Sequence, residues 1–180
     1  MPCTHVALLR GINLGGKNRL AVKDLTAMFA DAGCRGVSAY IQSGNIIFTA
    51  APGLASRIAA LITAQIKKRF GHEVPVVLRT MDELKKVIAN NPFLKAGAAE
   101  RELHVVFLAD APDAARVRTL DPDRSPPDTY QVRGREIYLR LPNGMGRSKL
   151  TNQYFDSKLA TVGTARNWRT VTTLLELMKA

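Results

Sequence analysis

Apolar residues run unbroken from Val6 to Leu9, then give way to a turn rich in glycine and asparagine, Gly11 to Asn18. An apolar run that stops in this way predicts a buried strand delivering a polar loop to the surface. Leu25, Met28, Phe29 and Ala32 fall at i, i+3, i+4 and i+7, predicting an amphipathic helix from Asp24 with Gly33 as its C-cap. Two short runs, Val37–Ile41 and Ile46–Thr49, bracket Gln42-Ser43-Gly44-Asn45 and predict a hairpin. From Ala51 to Phe70, residues Leu54, Ile58, Leu61, Ile62 and Ile66 share one face of a long helix. That helix ends in Lys67, Lys68 and Arg69 before Gly71, cations where the helix dipole favours them. A strand at Val74–Arg79 follows, then a helix capped by Thr80 and stopped near Asn90-Asn91-Pro92.

The same order is expected again beyond Pro92–Ala99. Leu103–Leu108 reads as a strand, and Asp110 or Pro112 opens a helix to Leu120. Thr129–Val132 and Glu136–Leu141 bracket Arg133-Gly134-Arg135 as a second hairpin, followed by helices at Arg147–Leu159 and Trp168–Met178. Hairpins inserted between helices argue for split βαβ units rather than a doubly wound parallel sheet. The expectation is an α+β fold of two ferredoxin-like (βαββαβ-type) halves, 1–95 and 96–180, with antiparallel sheets packed against helices and an extra C-terminal helix. The duplication is read as topological, since the halves share little residue identity in sequence.

Charge changes this picture more than overall composition does. Hydrophobic content of 46% and charged content of 23% are ordinary for a globular chain, but 26 basic against 15 acidic residues leave +11. Arg10 to Lys23 holds four cations and no acid, and Arg133 to Arg169 holds eight cations against Glu136 and Asp156. Such concentration favours nucleic acid or phosphate-bearing ligands as partners. No apolar stretch approaches the roughly 20 residues of a membrane helix, and no basic leader precedes the first apolar run. Cys3 and Cys34 stand alone, without ligand spacing, and read as reduced thiols. A cytoplasmic monomer without membrane association is therefore expected.

Gly11-Ile12-Asn13-Leu14-Gly15-Gly16-Lys17-Asn18 nearly spells a phosphate-binding P-loop, but Asn18 stands where a magnesium-ligating hydroxyl is required. That departure, and the antiparallel hairpin, argue against nucleotide hydrolysis. Gly144-Met145-Gly146-Arg147-Ser148-Lys149 is a second glycine-rich approach to a predicted helix, where an anion can sit on free N–H groups. Ser148 is equally well a plain N-cap there. Asn167 is the expected N-cap of the last helix, and Trp168 is a core residue unless it stacks on a base beside Arg166 and Arg169. His5, His72 and His104 have no spaced carboxylate or cysteine partner, so no catalytic residue, metal or cofactor is expected.

The segments ALLRGINLGGKN, AYIQSGNIIF, Arg79 to Phe93, HVVFL, the turn before Ser148-Lys149-Leu150 and TARNWRTV together resemble the bacterial family called domain of unknown function 1697. The resemblance spans nearly the whole chain in order. It implies the two-lobed α+β fold and no particular activity. The motif residues it carries over are Arg10, Gly11, Asn13, Gly15, Gly16, Asn18, Gln42, Ser43, Gly44, Asn45, Gly146, Ser148, Arg166, Asn167 and Trp168. The expected function is binding of an anionic ligand, nucleic acid or nucleotide, through basic Gly/Asn-rich loops. Arg10, Lys17, Lys149 and Arg166 would meet phosphate, with Asn13, Asn18, Gln42, Ser43, Asn45, Ser148, Asn167 and Trp168 completing the seat. The alternatives are an enzyme acting on a phosphorylated or acyl small molecule, and a protein-interaction module.

Overall fold

A computed structural model describes all residues 1–180. In chain order the elements are β1 (Cys3–Leu9), α1 (Val22–Asp31), β2 (Arg35–Tyr40), β3 (Asn45–Ala50), α2 (Pro52–Phe70), β4 (Val76–Thr80), α3 (Met81–Ala89) and the short α4 (Pro92–Lys95). After them come β5 (Leu103–Leu108), α5 (Ala114–Val117), β6 (Thr129–Arg133), β7 (Glu136–Arg140), α6 (Asn152–Leu159), β8 (Gly163–Asn167) and α7 (Trp168–Lys179). No helix is long and apolar enough to cross a membrane.

The strands form two four-stranded antiparallel sheets, ordered β2-β3-β1-β4 and β6-β7-β5-β8. Each is the βαββαβ arrangement, with the first strand of the repeat in the centre beside the third and last. The fold is therefore α+β, two ferredoxin-like halves. Alternation explains which side each residue takes. On one face of the first sheet Ala7, Leu9, Ile46 and Phe48 join Leu25, Met28 and Phe29 of α1 and Ile58, Ile62 and Ile66 of α2 in one core. Burying each such large apolar side chain stabilises by about 1.5–3 kcal/mol. In the second sheet Val106, Leu108, Ile137 and Leu139 pack with Leu150, Tyr154, Phe155 and Leu159.

Grouped by packing rather than by position along the chain, one compact unit comprises Met1–Leu84 with Leu174–Ala180, and the other Lys85–Thr173. α3 and α7 each contribute to both.

Several local readings are corrected. The helix expected from Asp110 to Leu120 is a single turn, Ala114–Val117. The helix expected from Arg147 begins at Asn152, because Thr151 rather than Ser148 is its N-cap and its hydroxyl accepts from the Tyr154 N–H. A 3₁₀ turn, Met145–Arg147, precedes it. β8 went unread in the sequence because its five residues, GTARN, are short and mostly polar.

The duplication is also more than topological. His5-Val6 of β1 pairs across to Thr80-Arg79 of β4, and His104-Val105 of β5 pairs across to Asn167-Arg166 of β8 in the same register. In both halves the residue facing the histidine caps the helix that follows. Thr80 Oγ1 accepts from the Glu83 N–H at 3.2 Å while Glu83 reaches back to the Thr80 N–H at 2.8 Å, a capping box. Asn167 Oδ1 accepts from the Thr170 N–H at 2.8 Å.

Candidate functional site

Seven of the expected site residues, Arg10, Asn13, Lys17, Asn18, Gln42, Ser43 and Asn45, lie in the first unit, where the loop after β1 meets the β2–β3 turn. Asn13 makes the junction: its Nδ2 donates to the carbonyls of Leu20 and Gln42, both at 2.9 Å, and its Oδ1 accepts from the Leu20 N–H. Asn18 Nδ2 donates to the Gly11 carbonyl at 3.0 Å. Both asparagines sit at positive φ, 55° and 48°, which Asn tolerates better than other side chains. Asn45 is fully buried and donates to the Tyr40 carbonyl and to Ser43 Oγ. These amides are thus spent on holding turns. Gly44 adds a steric lock: at φ +84°, a Cβ there would stand 2.8 Å from Leu9 Cβ. What the paired loops turn to solvent is Lys17, Arg19, Gln42, the glycines Gly15 and Gly16, and the apolar Leu14 and Ile41.

The remaining five, Ser148, Lys149, Arg166, Asn167 and Trp168, lie in the second unit, with Arg166 and Trp168 buried. Ser148 Oγ accepts from the Leu150 N–H. The Lys149 main chain is latched to the preceding loop, its N–H donating to Ser125 Oγ and its carbonyl accepting from Arg124 Nε, both at 2.9 Å. Arg166 is buried; its Nη1 donates to Thr164 Oγ1 and to the carbonyl of Ala165, each at 2.8 Å, and burial pulls its pKa down to about 10. Arg79, its counterpart in the first sheet, is 1% exposed and bends onto the carbonyl of its own preceding residue in the same way, at 2.7 Å. Trp168 is 1% exposed, so its ring has no free face to offer a stacking base.

Asn167 and Trp168 do reach a groove that the sequence reading did not single out. Two adjoining hollows, about 390 and 670 Å³, share His104, Met145 and Asn167. The first is also lined by Thr151, Asn152 and Ala165, the second by Glu100, Arg101, Gly144, Trp168, Arg169 and Thr172. Of the lining residues, His104 and Asn152 each bury one polar atom, Nδ1 and Oδ1, without a well-formed hydrogen bond. Desolvation pushes the His104 imidazole below its ordinary pKa, opposed by the Glu102 carbonyl. The only sequence signal for this site is the second His-Val pair, which becomes informative once the registers of the two sheets are compared. No group of three or more His, Cys, Asp or Glu is placed to hold a metal ion.

Comparisons with known proteins agree with this fold and leave its chemistry open. A search of curated proteins returned no match. Among solved structures, a conserved bacterial protein, SP0830 from Streptococcus pneumoniae, superposes with a TM-score of 0.77 at 18% identity, covering 100% of both chains. That likeness shows the shared fold. The family model described as "Protein of unknown function (DUF1697)" matches residues 3–138, and the chain belongs to that family.

Proposed function

We propose that the protein binds nucleic acid through the paired loops of the first unit, acting as a cytoplasmic monomer. The carrying observation is the Asn13 junction, which fixes a loop bearing Lys17 and Arg19 against the Gln42 turn. From Arg10 to Lys23 every charged side chain is a cation. Loop ordering is thus complete before a ligand arrives, which lowers the entropy cost of binding. Gly15 has no atom within 4 Å of where a Cβ would stand, so a phosphate can approach the backbone closely. Leu14 and Ile41, 61% and 50% exposed, supply apolar contact for bases or sugars beside those cations. Phosphate contacts of this kind give affinity without sequence preference.

The test is anisotropy of labelled single-stranded and duplex oligonucleotides over a range of salt. Expected is binding whose log–log salt slope falls by roughly 1.5–2 when Lys17 and Arg19 are both changed to Ala. Absence of binding at low salt, or an unchanged slope in the double variant, overturns the reading.

A further inference from the structure

We propose that the groove around His104 is a second site, for a small organic anion: a phosphate monoester or carboxylate with an apolar body. It is independent of nucleic-acid binding by the first unit. The starting point is an asymmetry between equivalent positions. In the first sheet His5 lies within 2.8 Å of the Cys3 carbonyl through Nδ1, and its ring stacks on Phe48 at 5.4 Å between centroids. In the second sheet the residue opposite His104 is Leu139, not an aromatic, and a groove opens beside the imidazole. Behind the groove's wall His104 Nδ1 and Asn152 Oδ1 are buried without a well-formed hydrogen bond, the Glu102 carbonyl acting on the imidazole more weakly than the Cys3 carbonyl at 2.8 Å acts on His5. Unmet polar atoms beneath a groove wall are costly while the groove is empty, and a ligand that shifts either side chain can satisfy them. The histidine accepts or donates according to its tautomer, and the amide oxygen requires a donor.

The charge around the groove selects the occupant's sign. The N-termini of α6 and α7 both contribute lining residues, Thr151 and Asn152 from one, Asn167 to Arg169 from the other. Helix N-termini carry partial positive charge and favour anions. Arg101 and Arg169, both exposed, add two full cations against the single acid Glu100. Size and lining select an organic body. A hollow of about 670 Å³ is far larger than a bare phosphate needs and falls within the range of small-molecule sites. Met145 gives it an apolar wall. The anionic group would lie toward Arg101 and Arg169, and the apolar body along Met145.

The experiment uses the full chain and phenyl phosphate, benzoate and inorganic phosphate as probes, read by nitrogen chemical shifts of the His104 ring. At least one organic probe is expected to shift those signals saturably and to bind about tenfold or more tighter than inorganic phosphate. Arg169→Ala should weaken that probe severalfold, while the Lys17 and Arg19 double variant binds it unchanged. Thr172→Trp, which fills the groove from an already half-buried position, should abolish binding with the fold checked by its amide spectrum. Ring signals unmoved by either organic probe at roughly 10 mM, a concentration that detects even millimolar dissociation constants, overturn the proposal. So does binding that is indifferent to both groove substitutions, or equal affinity for inorganic phosphate.

Discussion

The two halves are built on one plan, and their differences mark where each has been put to use. In both, a His-Val pair on the central strand faces Thr-Arg or Asn-Arg on the edge strand, and that Thr or Asn caps the next helix. In both, the arginine is buried and folds back on its own preceding carbonyl. Around this shared frame the first half has elaborated a loop and the second a groove. The first closes its histidine with an aromatic ring, and spends its variation on the Gly/Asn loop after β1. The second keeps a plain two-residue turn between β6 and β7 and leaves its histidine beside open space. Polar atoms held by main chain are fixing structure; polar atoms left unmet beside a cavity are the better pointers to a ligand.

The sharpest break of that comparison is at the central hairpin. The Leu9 N–H donates to the Gly44 carbonyl, and at the equivalent place the Leu108 N–H donates to the Arg135 carbonyl, both at 2.8 Å. Only Gly44 is sterically required, since a Cβ there would also stand 2.9 Å from Ile12 Cδ1. Gly44→Ala combines positive φ with contact against Leu9 Cβ and should cost about 3 kcal/mol or more. Arg135→Ala should cost well under half of that, so equal denaturant midpoints for the two variants would end the contrast.

Next in size are the buried arginines. Removing Arg79 leaves a large void among fully buried neighbours, so Arg79→Ala should lose about 3 kcal/mol by urea unfolding. Arg166, somewhat more accessible at 8%, should lose less on the same change. Equal and negligible losses at both positions would show that the repeated geometry carries no structural weight. A smaller effect is expected where the halves differ in packing. Phe48 touches His5 and Phe29, at ring centroid distances of 5.4 and 5.1 Å. Phe48→Leu makes the first half resemble the second, and should cost about 1–2 kcal/mol in melts monitored by circular dichroism.

Periodicity made the fold legible. The apolar stripes of α1 and α2 and the two hairpins can be read directly, because burial imposes their spacing. β8 could not, since a five-residue strand of GTARN has no apolar alternation and earns its place by pairing with β5. The start of α6 was misplaced for a similar reason. Ser148 and Thr151 are both good caps in sequence, and only the packing of Leu150, Tyr154 and Phe155 selects the second. For the site, sequence marked Asn13, Asn18 and Asn45 as special and could not say that their amides face inward to main chain. It set His104 aside for want of a spaced partner and passed over Asn152; both become notable only beside the groove.

The subtlest contrast is in protons. Burial holds the His104 imidazole below its ordinary pKa of 6.5, the Glu102 carbonyl opposing. A histidine that is harder to protonate in the folded chain than in the unfolded one makes the unfolded state take up more protons. Stability therefore falls as pH drops through about 6.5 toward the lowered folded value, and is unaffected by this group above it. His104 is only partly buried, so the loss should stay under about 1 kcal/mol. His104→Gln keeps a polar side chain without a titration in this range. As pH falls from 7.5 to 5.5 the wild type should lose stability relative to the variant by urea midpoint, whatever their offset at pH 7.5 and whatever the carboxylates contribute to both. Parallel curves would mean that the imidazole is as easily protonated in the groove as in water. An anion bound beside His104 would stabilise its protonated form and flatten the wild-type curve, so the same titration repeated with phenyl phosphate reports on the groove directly.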